Sequence, residues 1–187
     1  DFTATVTSAG NPVGRGTVQF YDGAAALGSP VTLNLSTGKA TYTTSALSVG
    51  SHSITAAYSG AGNFGFAAST SGTVTQVVNA PATPTVSSTS PGSPGTATSI
   101  RVLGTAQGGT TVKLFKTADC SGTPAASGTA AAFASPGIAT TVAADASTTF
   151  HATVSTGVGD SACSSTLVTY TNASTAPVRP TVTSSSP

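Results

Sequence analysis

Few side chains in this 187-residue sequence could take part in acid–base or nucleophilic chemistry. The five carboxylates are all aspartates, and they are scattered: Asp1, Asp22, Asp119, Asp145 and Asp160. Glycoside hydrolysis needs two facing carboxyl groups, one with a raised pKa, and calcium needs about six to eight oxygen ligands. Asp22 precedes Gly23, which is typical of a turn residue whose side chain hydrogen-bonds its own backbone. The spacing of the acids therefore favours neither a hydrolase site nor a calcium site.

The two histidines, His52 and His151, are weighed in the same way. A serine hydrolase needs Ser, His and Asp to converge beside an oxyanion hole, and a Ser-His-Ser sequence alone does not predict this. His52 shares parity with Ile54 at the start of a predicted strand, so we expect a hydrogen-bonded structural residue. His151 alternates with Phe150 and is expected to face solvent. The sequence predicts no catalytic residue, no cofactor and no enzyme activity.

The cysteines are Cys120 and Cys163, and no His or second Cys pair lies at metal-ligand spacing. In a chain rich in Ser and Thr and poor in Lys and Glu, the pair favours a disulfide, which implies an oxidising, extracellular compartment. Closing a loop of this size stabilises a fold by about 4 kcal/mol in the chain-entropy model. We expect the bridge to tie two loop regions together.

The charge content excludes several partners. Charged residues make up 6% of the chain, against about 25% in a typical soluble domain, and the net charge is +1. Nucleic-acid binding needs a basic stripe, but Lys113 and Lys116 are the one close pair of basic residues. No apolar run approaches about 18 residues, so nothing is expected to span a membrane.

The elements that carry these residues follow from strict alternation of apolar and polar residues, bounded by Gly, Pro, Asn or Ser. In the first part of the chain the apolar sets are Phe2, Ala4, Val6; Val18, Phe20; Val31, Leu33, Leu35; Ala40, Tyr42; and Ile54, Ala56, Tyr58. Short strands at this spacing predict an all-β antiparallel sandwich or barrel.

The pattern breaks at residues 80–84, which predict a semi-rigid, proline-containing linker between a domain at 1–79 and a second at 85–172. The candidate strands of the second domain are Thr85–Ser88, Ile100–Leu103, Val112–Phe115, Thr129–Phe133, Ile138–Val142, Thr149–Val154 and Leu167–Tyr170.

An internal repeat extends this organisation. The segment Ala80–Pro91 is echoed, 96 residues later, by Ala176–Pro187. Residues 173–187 are therefore interpreted as a linker and the first strand of a further repeat, and the chain as a piece of a longer polypeptide.

Particular segments resemble a known family. Gly16–Asp22, Leu47–Gly60 with Asn63-Phe64, and Thr73–Val78 resemble the bacterial Ig-like repeats of large surface and secreted proteins. The opening strand of that family is missing, because Phe2–Val6 resembles its second strand. Gly104-Thr-Ala, Val112–Phe115 and the Cys120 to Cys163 pair are similar to adhesin-type bacterial Ig-like repeats. The resemblance implies two tandem immunoglobulin-like β-sandwiches, the first lacking its opening strand, and a role as spacer, adhesin or scaffold.

Two functional hypotheses follow. In the first, the chain is a passive spacer of a bacterial surface or secreted protein. In the second, copies assemble head to tail into a filament, because a strand donated from the C-terminal segment, with Val178, Pro180 and Val182 at alternate positions, completes the first domain of the next copy. The tail resembles the opening strand of the second domain, which favours the spacer.

Smaller alternatives concern the surface. A carbohydrate-binding module would use exposed aromatics such as Tyr21, Phe64 and Phe66 against surface glycans, although the chain has no Trp. Thr-x-Thr ladders could match an ice lattice, but Thr is also a common exposed strand residue. The sequons at Asn34 and Asn172 are candidate glycosylation sites.

Overall fold

A computed structural model of the protein describes residues 1–173 and divides the chain into two compact units, Asp1–Asn79 and Ala80 onward. The candidate donor residues Val178, Pro180 and Val182 lie outside the described residues. Strands dominate both units, and each is described by itself below.

The first unit is built from short antiparallel strands. They are β1 (Phe2–Thr5), β2 (Thr7–Ser8), β3 (Asn11–Pro12), β4 (Thr17–Asp22), β5 (Ala25–Thr32), β6 (Lys39–Tyr42), β7 (Gly50–Tyr58), β8 (Ser69–Thr70) and β9 (Val74–Val78), with a 3₁₀ turn at Gly62–Phe64. One sheet holds β1 and β6, and the other runs β5-β4-β7 with β8 and β9 on the far edge of β7. This is an antiparallel two-sheet arrangement, as the alternation predicts.

The core of the first unit lies between these sheets. Its fully buried cluster is Val13, Val18, Phe20, Leu33, Ala40 and Tyr58. The inward side chains of β1, Phe2 and Ala4, are only partly buried. The first sheet therefore covers its side of the core incompletely.

The second unit repeats the same pairing with one more strand in its smaller sheet. Its elements are β10 (Thr85–Ser90), β11 (Ser99–Thr105), β12 (Thr111–Phe115), β13 (Ala126–Thr129), α1 (Ala130–Ala134), β14 (Ile138–Thr141), β15 (Ser147–Thr156), β16 (Gly159–Asp160) and β17 (Val168–Thr171). One sheet runs β10-β11-β14 and the other β13-β12-β15, with β16 and β17 on the far edge of β15. In this comparison β11 and β14 correspond to β1 and β6.

The core of the second unit is larger. Its buried cluster is Val86, Ile100, Val102, Val112, Leu114, Ala130, Phe133, Ile138, Val142, Phe150, Ala152, Val154 and Tyr170. Val86 enters this cluster from β10, which pairs antiparallel with β11. Gly104 permits the approach, because a Cβ atom there would lie 2.0 Å from the carbonyl oxygen of Thr85 and 2.4 Å from the ring of Phe133.

Two strand predictions are wrong in detail. Leu35 does not continue the Val31–Leu33 alternation: its side chain is 70% exposed in a turn. The turn is fixed by Asn34, whose Oδ1 accepts hydrogen bonds from the backbone N–H groups of Ser36 and Thr37. The exposed Leu35 is therefore a consequence of the turn that follows β5.

The segment Thr129–Phe133 is also not a strand. The strand ends at Thr129, and helix α1 follows, because Thr129 Oγ1 accepts a hydrogen bond from the Ala132 N–H and caps the helix. A run of alanines then favours the helix, which buries Phe133 completely.

The outward faces of the sheets carry paired hydroxyl groups instead of charged side chains. Oγ atoms meet across neighbouring strands at Thr3 and Thr41 (3.0 Å) and at Thr149 and Thr169 (2.9 Å). Such cross-strand pairs stabilise a sheet modestly. They also explain how a chain with so few charged residues presents a polar surface.

Candidate functional site

An opening in the first unit follows the free edge of β1. Among the described residues, β1 pairs with β6 alone and β9 pairs with β7 alone. In an antiparallel strand every second residue directs its N–H and C=O groups to the other side, so both strands have unpaired backbone groups along one edge. The edges of β1 and β9 flank an opening into the core.

Three adjoining cavities run along this opening. The largest, about 470 Å³, has Asp1–Thr5 on one wall, Val74 and Gln76 on the other, and Phe20 and Ile54 at its base. A second of about 220 Å³ shares Ala4, Thr5, Ala56 and Ser71 with it. A third of about 150 Å³ shares Val6, Thr7, Tyr58 and Ser69 with the second. We call this continuous feature, lined from Asp1 to Ser8, the β1 groove.

Two exposed valines lie on β9, the strand that forms one wall of the groove. Val74 on β9 is 62% exposed and lines the groove, and Val77 on the same strand is 56% exposed. Sequence reasoning predicted a missing opening strand but not these lining residues.

His52 and Asp22 form the closest pair of titratable groups in the first unit. Asp22 Oδ2 lies 2.6 Å from His52 Nδ1, and its Oδ1 accepts a hydrogen bond from the Ser53 N–H. Asp22 therefore binds the neighbouring strand β7, and the prediction that it caps its own backbone is wrong. The pairing is possible because Asp22 of β4 stands beside Ile54 in the sheet register.

The second nitrogen of His52 is also engaged by a hydrogen bond. Nε2 lies 2.8 Å from the carbonyl oxygen of Ser48, which can only accept a hydrogen bond. Both ring nitrogens thus face acceptors, and the hydrogen bond with Asp22, followed by that with Ser48, raises the pKa of His52 above 6.5. A general base needs a free nitrogen toward its nucleophile; His52 has none, and it is the hydrogen-bonded structural residue that was predicted.

The predicted disulfide between Cys120 and Cys163 is present, with a Cα–Cα distance of 5.6 Å. It joins the loop after β12 to the segment between β16 and β17. Strand β15 lies between these two regions, because Phe115 pairs with His151 on one side and Ser164 hydrogen-bonds Ala152 on the other.

The bridge therefore passes over β15 on the face away from the core. His151 lies on that face and is only 8% exposed, so the prediction that it faces solvent is wrong. Alternation identified the side of the strand correctly, but it could not show that this side is covered.

The two sequons differ in accessibility. Asn34 is exposed, and glycosylation there stays a prediction. Asn172 is 2% exposed; its Nδ2 donates to the Ala97 carbonyl, and its Oδ1 accepts from the Asp145 N–H. A glycan is attached through this amide nitrogen, so the folded second unit does not offer Asn172 for modification.

The aromatic candidates for sugar binding are not aligned in a row. Phe66 packs against the core of the first unit, and Tyr21 is half-buried. Phe64 is 57% exposed, but the Arg15 guanidinium carbon lies 4.6 Å from its ring centroid. This cation–π contact occupies one ring face, beside a shallow cavity of about 270 Å³.

The comparisons with known proteins concern the first unit. Residues 1–79 match the family model of the bacterial Ig-like domain, group 3. The first unit belongs to the bacterial Ig-like domain family. No curated protein and no solved structure matches the chain. Members of this family are typically non-catalytic and occur often in surface or extracellular proteins, which agrees with the occupied nitrogens of His52.

The described residues, 1–173, contain no group of three or more His, Cys, Asp or Glu side chains placed to hold a metal ion. They also contain no helix with the length and apolar character needed to cross a bilayer.

Proposed function

We propose that the chain is a non-catalytic structural repeat that acts as a spacer or stalk in a bacterial surface or secreted adhesin-like protein. The observation that carries this proposal is the Ig-like first unit, followed by a second β unit with the same order of strand pairing. Small two-sheet domains in series hold a distal group away from its anchor. They can do so with few charged residues on their surface. The disulfide supports a location outside the cell.

The spacer proposal is tested by inserting the chain between a bacterial surface anchor and a reporter binding domain. The reach of the reporter, measured as access to an immobilised ligand at increasing distance, should increase while its intrinsic affinity stays the same. A Gly/Ser linker of equal length is the control, because a flexible coil gives a shorter average span. A reach no greater than that of the linker would contradict the proposal.

A second candidate function is subunit of an extracellular filament, assembled head to tail by donation of a strand. The β1 groove favours this candidate, because unpaired backbone edges beside an opening with apolar side chains such as Phe20 and Ile54 at its base are a template for strand addition. A heterologous contact of this kind does not close on itself and so continues into a fibre.

A carbohydrate-binding module finds less support. Among the described aromatics, Phe64 is the one with a largely exposed ring, and Arg15 covers one of its faces. The test is an NMR titration of the protein with a panel of surface glycans. Unchanged chemical shifts in the Gly60–Phe66 loop would remove this alternative.

A further inference from the structure

We propose that the β1 groove binds the segment Ala176–Pro187 of a second copy of the chain, as an antiparallel strand beside β1, with Pro180 and Val182 as the inward anchors. This inference rests on the second candidate function and names the occupant and its buried residues.

The groove has the shape of a strand. It is lined without interruption from Asp1 to Ser8, and eight residues of antiparallel strand span roughly 27 Å. A segment of about that length would pair its backbone with the free edge of β1, while alternate side chains reach Phe20, Ile54 and Ala56. The lining holds no charged side chain beyond Asp1 at its end, so the groove fits a donor whose inward positions are apolar.

The second unit contains a copy of the required contact. Its smaller sheet has β10 paired antiparallel with β11, the strand that corresponds to β1. Strand β10 belongs to the segment Ala80–Pro91, in which Pro84 and Val86 are buried and Thr85 and Ser87 are exposed. A segment with this sequence pattern therefore serves, within this chain, as the strand that closes a two-stranded sheet.

The repeat offset of 96 residues transfers these positions to the tail. Pro84 and Val86 correspond to Pro180 and Val182, and exposed Thr85 corresponds to Thr181. Ala82, which corresponds to Val178, is exposed, so Val178 is not assigned as an anchor. The proline is compatible with this position, because a donated strand at the edge of a sheet tolerates a missing N–H group.

The test uses the full-length variant Val182→Asp as the acceptor, because its own tail cannot supply the anchor. A fluorescent peptide with the sequence of Ala176–Pro187 is added, and binding is followed by anisotropy. We expect saturable binding that weakens about tenfold or more for the peptide with Val182→Asp, since a buried valine is lost. The matched control peptide, Thr181→Asp, changes an outward position and should bind like the original.

Hydrogen exchange locates the contact. Bound peptide should slow exchange of the amides of Phe2–Thr5, with no change in the second unit. Equal binding of the three peptides, or protection away from β1, would overturn the assignment of this segment to the groove.

Sedimentation of the full-length chain separates this inference from the filament function. Peptide binding at β1 by a chain that stays monomeric at all concentrations would support the groove as a site for this sequence, but it would overturn a second copy as the source of the occupant and remove the filament. Assembly that survives Val182→Asp would support a filament held by other contacts and overturn the proposed strand donation.

Discussion

The two units share an order of strand pairing but differ at one edge. In the second unit, β10 covers β11 and places Val86 in a cluster of thirteen buried apolar residues. In the first, β1 has no such neighbour, and the corresponding cluster has six members. The comparison shows how much one strand contributes: it pairs a backbone edge and closes the core beneath it.

The units also differ in how they are fastened. The second unit has a disulfide that spans β15. In the corresponding sheet of the first unit, Asp22 of β4 is joined to β7 by its hydrogen bonds with His52 and Ser53. A covalent bridge constrains the unfolded chain whatever the pH, whereas the Asp22–His52 contact depends on protonation. The predictions below alter each difference in turn.

Removing the disulfide should have the largest effect. The double variant Cys120→Ser with Cys163→Ser opens a loop of sequence separation 43, for which the chain-entropy model gives about 4 kcal/mol of lost stability. The loss should be confined to the second unit and so reduce its advantage over the first. Hydrogen exchange of β12 and β15, compared with β4 and β7, measures it; an equal loss of protection in both units would contradict the prediction.

Gly104→Val should leave the edge of β11 in the second unit unpaired, as the edge of β1 is in the first unit. The added Cβ would meet the Thr85 carbonyl at 2.0 Å, so β10 must leave β11, at a cost of about 3 kcal/mol for an overpacked core. Amides of β10 should then exchange rapidly while β12 stays protected. Gly108→Ala is the control, because no atom lies within 4 Å of a Cβ there. Continued protection of β10 in the valine variant would show that the close approach is not what holds it.

A matched pair of truncations compares the two cores directly. Ile100 lies in the closed core, whereas Ile54 lines the β1 groove, and both are almost fully buried. Ile100→Ala should cost about 4 kcal/mol and Ile54→Ala about 2 kcal/mol, because a side chain beside an open groove has fewer neighbours to lose. Denaturant unfolding followed by unit-specific hydrogen exchange gives the two values. Equal costs would mean that the groove does not weaken the first core.

Much of the fold could be predicted from alternation alone. The core positions Phe20, Tyr58 and Phe150 follow from their parity. These features are local or depend on sequence order. The sequence signal for the helix at Ala130–Ala134 was also local, since a threonine before an alanine run is a capping signal. The alternation of residues up to Phe133 concealed it, because that pattern also fits a strand.

The site residues were less predictable because they depend on contacts that are distant in sequence. His151 is buried on the outward face of β15, and the buried Asn172 is held by hydrogen bonds to Ala97 and Asp145. Asp22 pairs with His52, 30 residues away, through the register of β4 and β7. None of these contacts produces a periodic pattern of residue types in the sequence.

The smallest effects concern pH, and they fall in different windows for the two units. In the second unit the hydrogen bond from Lys113 lowers the pKa of Asp160, and hydrogen bonds from Ser121 lower that of Asp119, from 3.8. A carboxyl with a depressed folded pKa stabilises the unit above its unfolded pKa, and this is lost as the pH falls through the folded value. The second unit should therefore weaken in acid.

The first unit should instead lose stability as the pH rises. Because the folded pKa of His52 is raised above 6.5, its contribution is complete below about pH 6.5 and is lost as the pH rises through the raised value. The hydrogen-exchange protection of β4 and β7 should thus decline between slightly acidic and mildly alkaline pH. His52→Asn, which keeps a donor to Asp22 but does not titrate, should abolish this decline, and Asp160→Asn should leave it unchanged. If the decline persisted in His52→Asn, another group would have to couple protonation to the first unit, and the hydrogen bond between Asp22 and His52 would not be what joins β4 to β7.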